Sequence, residues 1–202
     1  MGWGEVVRLG TMASTQDIAR KLALGAVVVA DHQTAGRGRL ERRWEAPPGT
    51  ALLVSFVLEP SPVLSLAAGV AAAEACGKSV RLKWPNDLLL HDRKLGGILV
   101  ETTRDRAICG IGINLTWAPE GAARLEEPRD EVLERLMGTI ERWAAAPAAE
   151  VLARWRQLSD TLGRRVRIDG TEGVAQDIGA SGELIVDGRV YVAGSVTHLT
   201  PG

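Results

Sequence analysis

The sequence predicts an α/β (α+β) protein: a mixed sheet flanked by helices, followed by a small all-β unit. Three observations predict it. Up to Leu162, apolar runs of strand length are interspersed with alanine- and leucine-rich stretches of helix length. After Gly163 only short β-type runs remain, with glycines between them at close intervals. The 202 residues, 46% apolar and 24% charged, suffice for one substantial core plus an appendage. The expected division is 1–163 and 164–202. Some 40 residues make too little core to stand alone, so the second unit is expected to pack on the first.

The elements follow in order. Thr11 to Leu24 reads as a helix, with Ser14 or Thr15 as its cap and Ile18, Leu22 and alanines as its apolar face. Ala26 to Ala30, valines between alanines, reads as a fully buried strand. His32 to Trp44 is a polar loop rich in glycine and arginine. Ala51 to Glu59 is a strand, and Val63 to Cys76 a buried helix stopped by Gly77. Ser79–Trp84, Asp87–Leu90, Leu95–Thr102 and Ala107–Leu115 read as consecutive strands, with a hairpin turn at His91 to Lys94. Arg129–Ala145 and Ala148–Leu162 are helices separated by Pro147. The β-type runs of the C-terminal unit are Val166–Ile168, Gly173–Ile178, Glu183–Val186, Val190–Val192 and Ser195–Leu199, the pattern of a small barrel or sandwich.

Composition narrows function. A net charge of −1 argues against a dedicated nucleic-acid binder. Two cysteines, Cys76 and Cys109, sit in apolar stretches and read as free buried thiols of a reducing compartment. Neither a signal peptide at Met1–Gly10 nor an apolar run long enough to span a bilayer is seen, so a soluble cytoplasmic protein is expected. The basic residues are mostly Arg, with Lys only at 21, 78, 83 and 94.

Four constellations carry chemistry. Gly36-Arg37-Gly38-Arg39-Leu40-Glu41-Arg42-Arg43-Trp44 places four arginines within seven residues. Arginine suits bidentate contacts to phosphate and carboxylate, and the glycines admit close backbone approach. A solvated charged loop or a nucleic-acid patch would read the same way, although Trp44 suits stacking or pocket closure. Lys83-Trp84-Pro85-Asn86-Asp87 joins two strands, where Pro85 breaks the ladder and frees Asn86 and Asp87 to face a ligand, or simply to turn. Lys94 opens a strand whose next charge is Glu101, and Gly96-Gly97 weaken that strand unless something approaches it. A lysine at a hairpin exit is the plain alternative. Gly110-Ile111-Gly112-Ile113-Asn114 again implies close approach, but its spacing is not a dinucleotide fingerprint. Metal-ligand Cys/His spacing, a nucleophile elbow and a Walker loop are all absent, and of the scattered histidines His32 is best placed to border a site. Cations without a nucleophile suit a reaction in which substrates supply the nucleophile and the protein stabilises phosphate charge.

In this order, Ser14-Thr15-Gln16, Gln33 to Arg39 through Trp44, Lys83 to Asp87, Lys94 to Glu101 and Gly112-Ile113-Asn114 resemble the biotin protein ligases, strongly over residues 11–117. The resemblance implies a class II synthetase-like catalytic domain and a small SH3-like C-terminal domain. It also implies two steps: biotin and MgATP give biotinyl-5′-AMP, and a lysine of a biotin carboxyl carrier domain then takes the biotin. On it, Ser14, Thr15, Gln16, Gln33, Gly36 and Gly97 belong to the biotin site. Arg37, Gly38 and Arg39 fold over biotin and the adenylate phosphate. Arg42, Trp44, Lys83, Asn86 and Asn114 serve ATP and the adenylate, and Lys94 contacts the carboxylate or phosphate. Arg37, Lys94 and Asp87 are the catalytic candidates, with Asp87 also the magnesium candidate.

The chain departs from the family pattern at Leu40-Glu41, where the family loop carries Arg-Gly; this lowers the charge of the loop. About a dozen residues precede the first matching segment, too few for a helix-turn-helix, so a short ligase without DNA binding is expected. The sheet leaves room for a homodimer through an edge. A lipoate–protein ligase of the same fold is the near alternative, disfavoured because its Arg-Arg-x-x-Gly-Gly-Gly segment is missing; a non-catalytic biotin- or nucleic-acid-binding module is the distant one.

Overall fold

A computed structural model describes residues 2–199; Met1 and residues 200–202, at the outer ends of the two expected units, lie outside the described residues. The elements are β1 (Val6–Met12), α1 (Thr15–Ala19), β2 (Val27–Gln33), β3 (Ala51–Leu58), α2 (Leu64–Cys76), β4 (Val80–Lys83), β5 (Asp87–Leu90), β6 (Arg93–Thr102) and β7 (Ala107–Asn114). They continue with α3 (Arg129–Ala144), α4 (Ala148–Leu158), β8 (Arg165–Ile168), β9 (Thr171–Ile178), β10 (Leu184–Val186), β11 (Arg189–Tyr191) and β12 (Val196–His198). Seven strands form one sheet in the order β1-β2-β3-β7-β6-β5-β4, parallel between β1 and β2 and antiparallel elsewhere.

Burial on both faces explains the continuous apolar strands. In β2, Val27 and Val29 join the main core under the helices, while Val28 and the preceding Ala26 join a second cluster with Ala19, Val57 and Ile108 under α1. Alternation is present, but both sides are apolar, so the sequence shows an unbroken run. Helix α2 is buried along nearly its whole length, between the sheet and the pair α3 and α4, and therefore shows no amphipathic stripe. By contrast α3 and α4 turn one apolar stripe inward: Val132, Leu133, Leu136, Ile140 and Trp143 on α3, and Val151, Leu152, Trp155 and Leu158 on α4. The turn between β5 and β6 has only His91 and Asp92 between the paired Leu90 and Arg93, both at positive φ (51° and 60°). That is the mirror-image two-residue turn that matches strand twist.

The expected helix from Thr11 to Leu24 is corrected. Thr11 and Met12 end β1, an edge strand that pairs with β2 and was not expected, and helical bonding stops at Ala19. Beyond it Lys21 and Leu22 make tighter bonds back to Ile18 and Ala19, and Gly25 turns the chain at φ 82°. Edge strand β1 buries neither face fully, so it offers no apolar run to read.

The C-terminal strands form a five-stranded antiparallel sheet in the order β11-β10-β9-β8-β12. Its inward residues, among them Val166, Ile168, Ile178 and Leu184, belong to the same apolar cluster as the large sheet. The small unit thus shares a core that it is too small to build alone. Both cysteines are free and buried, and burial pushes each thiol up to about 12, which leaves them unreactive near neutral pH. Among the described residues no helix is long and apolar enough to cross a membrane.

Candidate active site

The helices cover one face of the large sheet, and α1 covers part of the other. What remains of that second face is the floor of a cleft. Pairing places Leu53, Gly112 and Gly97 in one row across β3, β7 and β6, and Ser55, Gly110 and Leu99 in the next. The glycines are required by what lies on them. A Cβ on Gly112 would stand 2.6 Å from Trp44 Cε2, and one on Gly110 would stand 2.5 Å from Gln16 Nε2. Gly112→Ala is therefore expected to displace the indole and cost about 1–3 kcal/mol of stability. Gly138→Ala on α3, where a Cβ meets nothing within 4 Å, should be neutral or stabilising. Urea denaturation of both variants checks the contrast.

At one end of the cleft, Thr15 N–H and its hydroxyl both donate to Gln33 Oε1 (2.7 and 2.9 Å), and Thr15 Oγ1 meets Ser55 Oγ at 2.8 Å. Gln16 Nε2 donates to Leu99 O (2.9 Å), but its Oε1 is buried with no partner among the described residues, and so is Trp44 Nε1. Both residues line the cleft. Buried polar atoms normally pair, so the cleft wall holds an unfilled acceptor at Gln16 and an unfilled donor at Trp44, whose ring lies over Gly112 and Gly97.

Much of the remaining lining is cationic. Arg37, Arg39, Arg42, Arg43, Lys83 and Lys94 line the cleft against one carboxylate, Asp87. Asp87 Oδ1 pairs with Lys94 Nζ at 2.6 Å. Among the described residues Arg39 bonds the neutral Asn86 Oδ1, at 3.4 Å, and burial lowers its guanidinium from the ordinary value against the pull of Asp87. Burial also lowers Lys83, opposed by Asp87 and helped by Lys94. Arg39, Lys83 and Lys94 thus share one carboxylate, an excess of positive charge that suits an anion.

The loop from 36 to 44 closes over this cleft as a narrow hairpin: Trp44 N–H donates to Gly36 O (3.0 Å) and Gly38 N–H to Arg42 O (2.7 Å). Its tip, Leu40-Glu41, has φ of 54° and 58°. Thus the residue that stands where the family pattern carries glycine adopts the conformation that favours glycine. Arg37 pins the loop to Asp17 through two bonds (2.7 and 3.2 Å) and lowers that carboxyl below its usual range. An ion pair this exposed contributes at most about 1 kcal/mol, so an anionic ligand can compete for Arg37. The closed cleft holds about 150 Å³, short of the roughly 300–1,000 Å³ of pockets for larger ligands.

Ser14, Thr15, Gln16, Gln33, Arg37, Gly38, Arg39, Arg42, Trp44, Lys83, Asn86, Asp87, Lys94 and Gly97 all line this one cleft. Two expected site residues do not. Asn114 is 3% exposed and its amide donates to Ala123 O (2.9 Å) inside the wall, so it braces a loop instead of facing the cleft. Gly36 lies behind the wall, pressed against the Trp44 carbonyl, where a Cβ would have no room. His32 is likewise absent from the lining. Reading by residue type missed Gly194, Ser195 and Val196, which the small sheet brings to the rim and which carry no local chemical signal.

Fold and cleft together define a ligand-binding domain built for an anion beside a hydrogen-bonding head group. Residues 3–116 match the biotin/lipoate A/B protein ligase family. A biotin–(acetyl-CoA-carboxylase) ligase of Mycobacterium tuberculosis is 34% identical over 98% of this chain and 90% of its own length. The bifunctional ligase/repressor BirA of Escherichia coli is 32% identical over 91% of this chain and 70% of its own. A biotin protein ligase from Aquifex aeolicus, solved in complex with biotin and ATP, is similar with a TM-score of 0.86 and 27% identity, covering 98% of this chain and all of that one. The chain belongs to the biotin/lipoate A/B protein ligase family.

Proposed function

We propose that this protein is a biotin–protein ligase that activates biotin with MgATP to biotinyl-5′-AMP and transfers biotin to a lysine of a biotin carboxyl carrier domain. The observation that carries this reading is a single cleft lined by six cations and one carboxylate together with Gln16, whose buried Oε1 has no partner among the described residues. A cyclic urea has the N–H that Gln16 Oε1 lacks, whereas a dithiolane ring, as in lipoate, has no polar hydrogen to give.

The first step joins two anions, as a carboxylate oxygen attacks the α-phosphorus and pyrophosphate leaves. Arg37, Arg39, Lys83 and Lys94 offset the repulsion and hold charge at the developing phosphorane. The donor set suits magnesium only with nucleotide present. Among the described residues no cluster of three His, Cys, Asp or Glu is found, and Asp87 offers one carboxylate, with phosphate oxygens left to complete the shell. Magnesium held there would neutralise phosphate charge. In the second step the acceptor amine attacks the carbonyl carbon and AMP leaves. With a free pKa near 10.4, only about 0.04% of the amine is neutral at pH 7, and Asp87 takes its proton once Lys94 turns to the phosphate. Closure of the loop over the anhydride excludes water.

We further place the protein in the cytoplasm, with the carrier domain as its macromolecular partner, no DNA or membrane involvement, a homodimer through a sheet edge, and a functional division at residues 163/164. ATP–pyrophosphate exchange with biotin, with lipoate and with neither acid tests the reading. Exchange with biotin alone is expected. Exchange with lipoate would move the assignment to the sister ligase, and exchange with neither would leave a binding module.

A further inference from the structure

The chain after α4 grips the turn from Lys83 to Asp87 from outside the large sheet. Asp160 N–H donates to Leu82 O at 2.8 Å. The Trp84 indole donates to Gly182 O of the small sheet's loop at 2.9 Å. The backbone N–H of Trp84 donates to Thr161 Oγ1, also at 2.9 Å. Thr161 is fully buried, and its oxygen shares a second hydrogen bond with His198 Nε2 of β12 at 3.2 Å. The hydroxyl has one hydrogen to give and two lone pairs to offer, so the bond to His198 holds with either tautomer of the neutral ring. His198 Nδ1 stands 3.5 Å from Asp160 Oδ2. Burial and the Lys83 charge hold the imidazole down at about 4, with Arg164 adding to the push and Asp160 and Asp92 opposing it. The ring is therefore neutral near pH 7, with Nε2 in reach of the Thr161 hydroxyl.

The far end of the same turn is fixed by Asn86, whose Nδ2 donates to Ile98 O (2.7 Å) and whose carbonyl accepts from Ile98 N (2.9 Å). The near end has Thr161. Neither Thr161 nor His198 is among the residues that line the cleft.

We propose that Thr161 and His198 are positioning residues for adenylation: by fixing the Trp84 backbone from the C-terminal sheet they set Lys83, Asn86 and Asp87 against Arg39 and Lys94. This rests on the ligase reading for its activity arm only. The cluster of Thr15, Gln33 and Ser55 at the biotin end lies on α1, β2 and β3, outside this turn.

The test compares wild type with Thr161→Val, His198→Phe and Thr161→Ser. Four quantities are measured: biotin affinity by calorimetry, kcat and KM for ATP in biotin-dependent exchange, the melting temperature, and amide hydrogen exchange over residues 83–87. Thr161→Val and His198→Phe are expected to lose about 10- to 100-fold in kcat, the scale of a misplaced catalytic group. Biotin affinity should stay within about threefold, as for a distant site. The Trp84 amide should exchange faster, and Thr161→Ser should restore both rate and protection. An unchanged kcat in both variants would overturn the proposal. So would a parallel fall of kcat, biotin affinity and melting temperature that Thr161→Ser does not restore. If wild type shows no biotin-dependent exchange, the ligase reading fails and the amide measurement decides the positioning claim. Unchanged Trp84 protection in Thr161→Val then overturns it, and faster exchange at an unmoved melting temperature supports it.

Discussion

Replacing Arg39 with alanine lowers biotin-dependent ATP–pyrophosphate exchange by about 10²–10³-fold, the scale seen when one preorganised electrostatic donor is lost, while the melting temperature stays or rises. The two signs have one cause. The Arg39 guanidinium is lowered by burial and by Arg42, against the pull of Asp87, and has the neutral Asn86 Oδ1 as its hydrogen-bond partner. In the free protein this desolvated cation costs stability, and that cost is recovered only when an anion arrives. Exchange kinetics and a thermal melt on one preparation check it. A loss of activity below tenfold, or a melting temperature that falls in step with activity, removes Arg39 from the reaction.

Asp87→Asn slows transfer from preformed biotinyl-adenylate by about 10²-fold, the lower range for a lost general base, and affects adenylate binding far less. The amide keeps the shape of the carboxylate, which now pairs with Lys94 at 2.6 Å, but cannot take a proton from the incoming amine. The defect should shrink as pH rises from 7 to 9, because the neutral fraction of a lysine amine grows about 100-fold over that interval. Single-turnover transfer at both pH values decides the matter, and a wild-type rate at pH 7 would end the role of Asp87 as a base.

How far the molecule can be read from its sequence depends on how local each cause is. Helices α3 and α4 show their stripes, and β2 and β3 show apolar runs, because burial of those residues is dictated within the element. Strand β1 is invisible for the opposite reason: its place is fixed by pairing with β2 across α1, and it buries neither face. In the site, charge and glycine were legible. Gly110 and Gly112 imply close approach, and the fold supplies Gln16 and Trp44 as what approaches. Asn114 misleads because an amide suited to a ligand is equally suited to a loop carbonyl, here that of Ala123. Gly194, Ser195 and Val196 could not be found without the docking of one sheet on another.

That docking sets an order on the ribosome. The cleft takes most of its lining from residues between Ser14 and Gly112, and the last of it from Gly194, Ser195 and Val196. Synthesis runs from the N-terminus, so the large sheet is complete well before β12 emerges, and units of a chain fold as they appear. Until then the cationic wall stands open on the side that the small sheet will cover. A nascent chain should therefore complete its nucleotide cleft only after β12 has emerged.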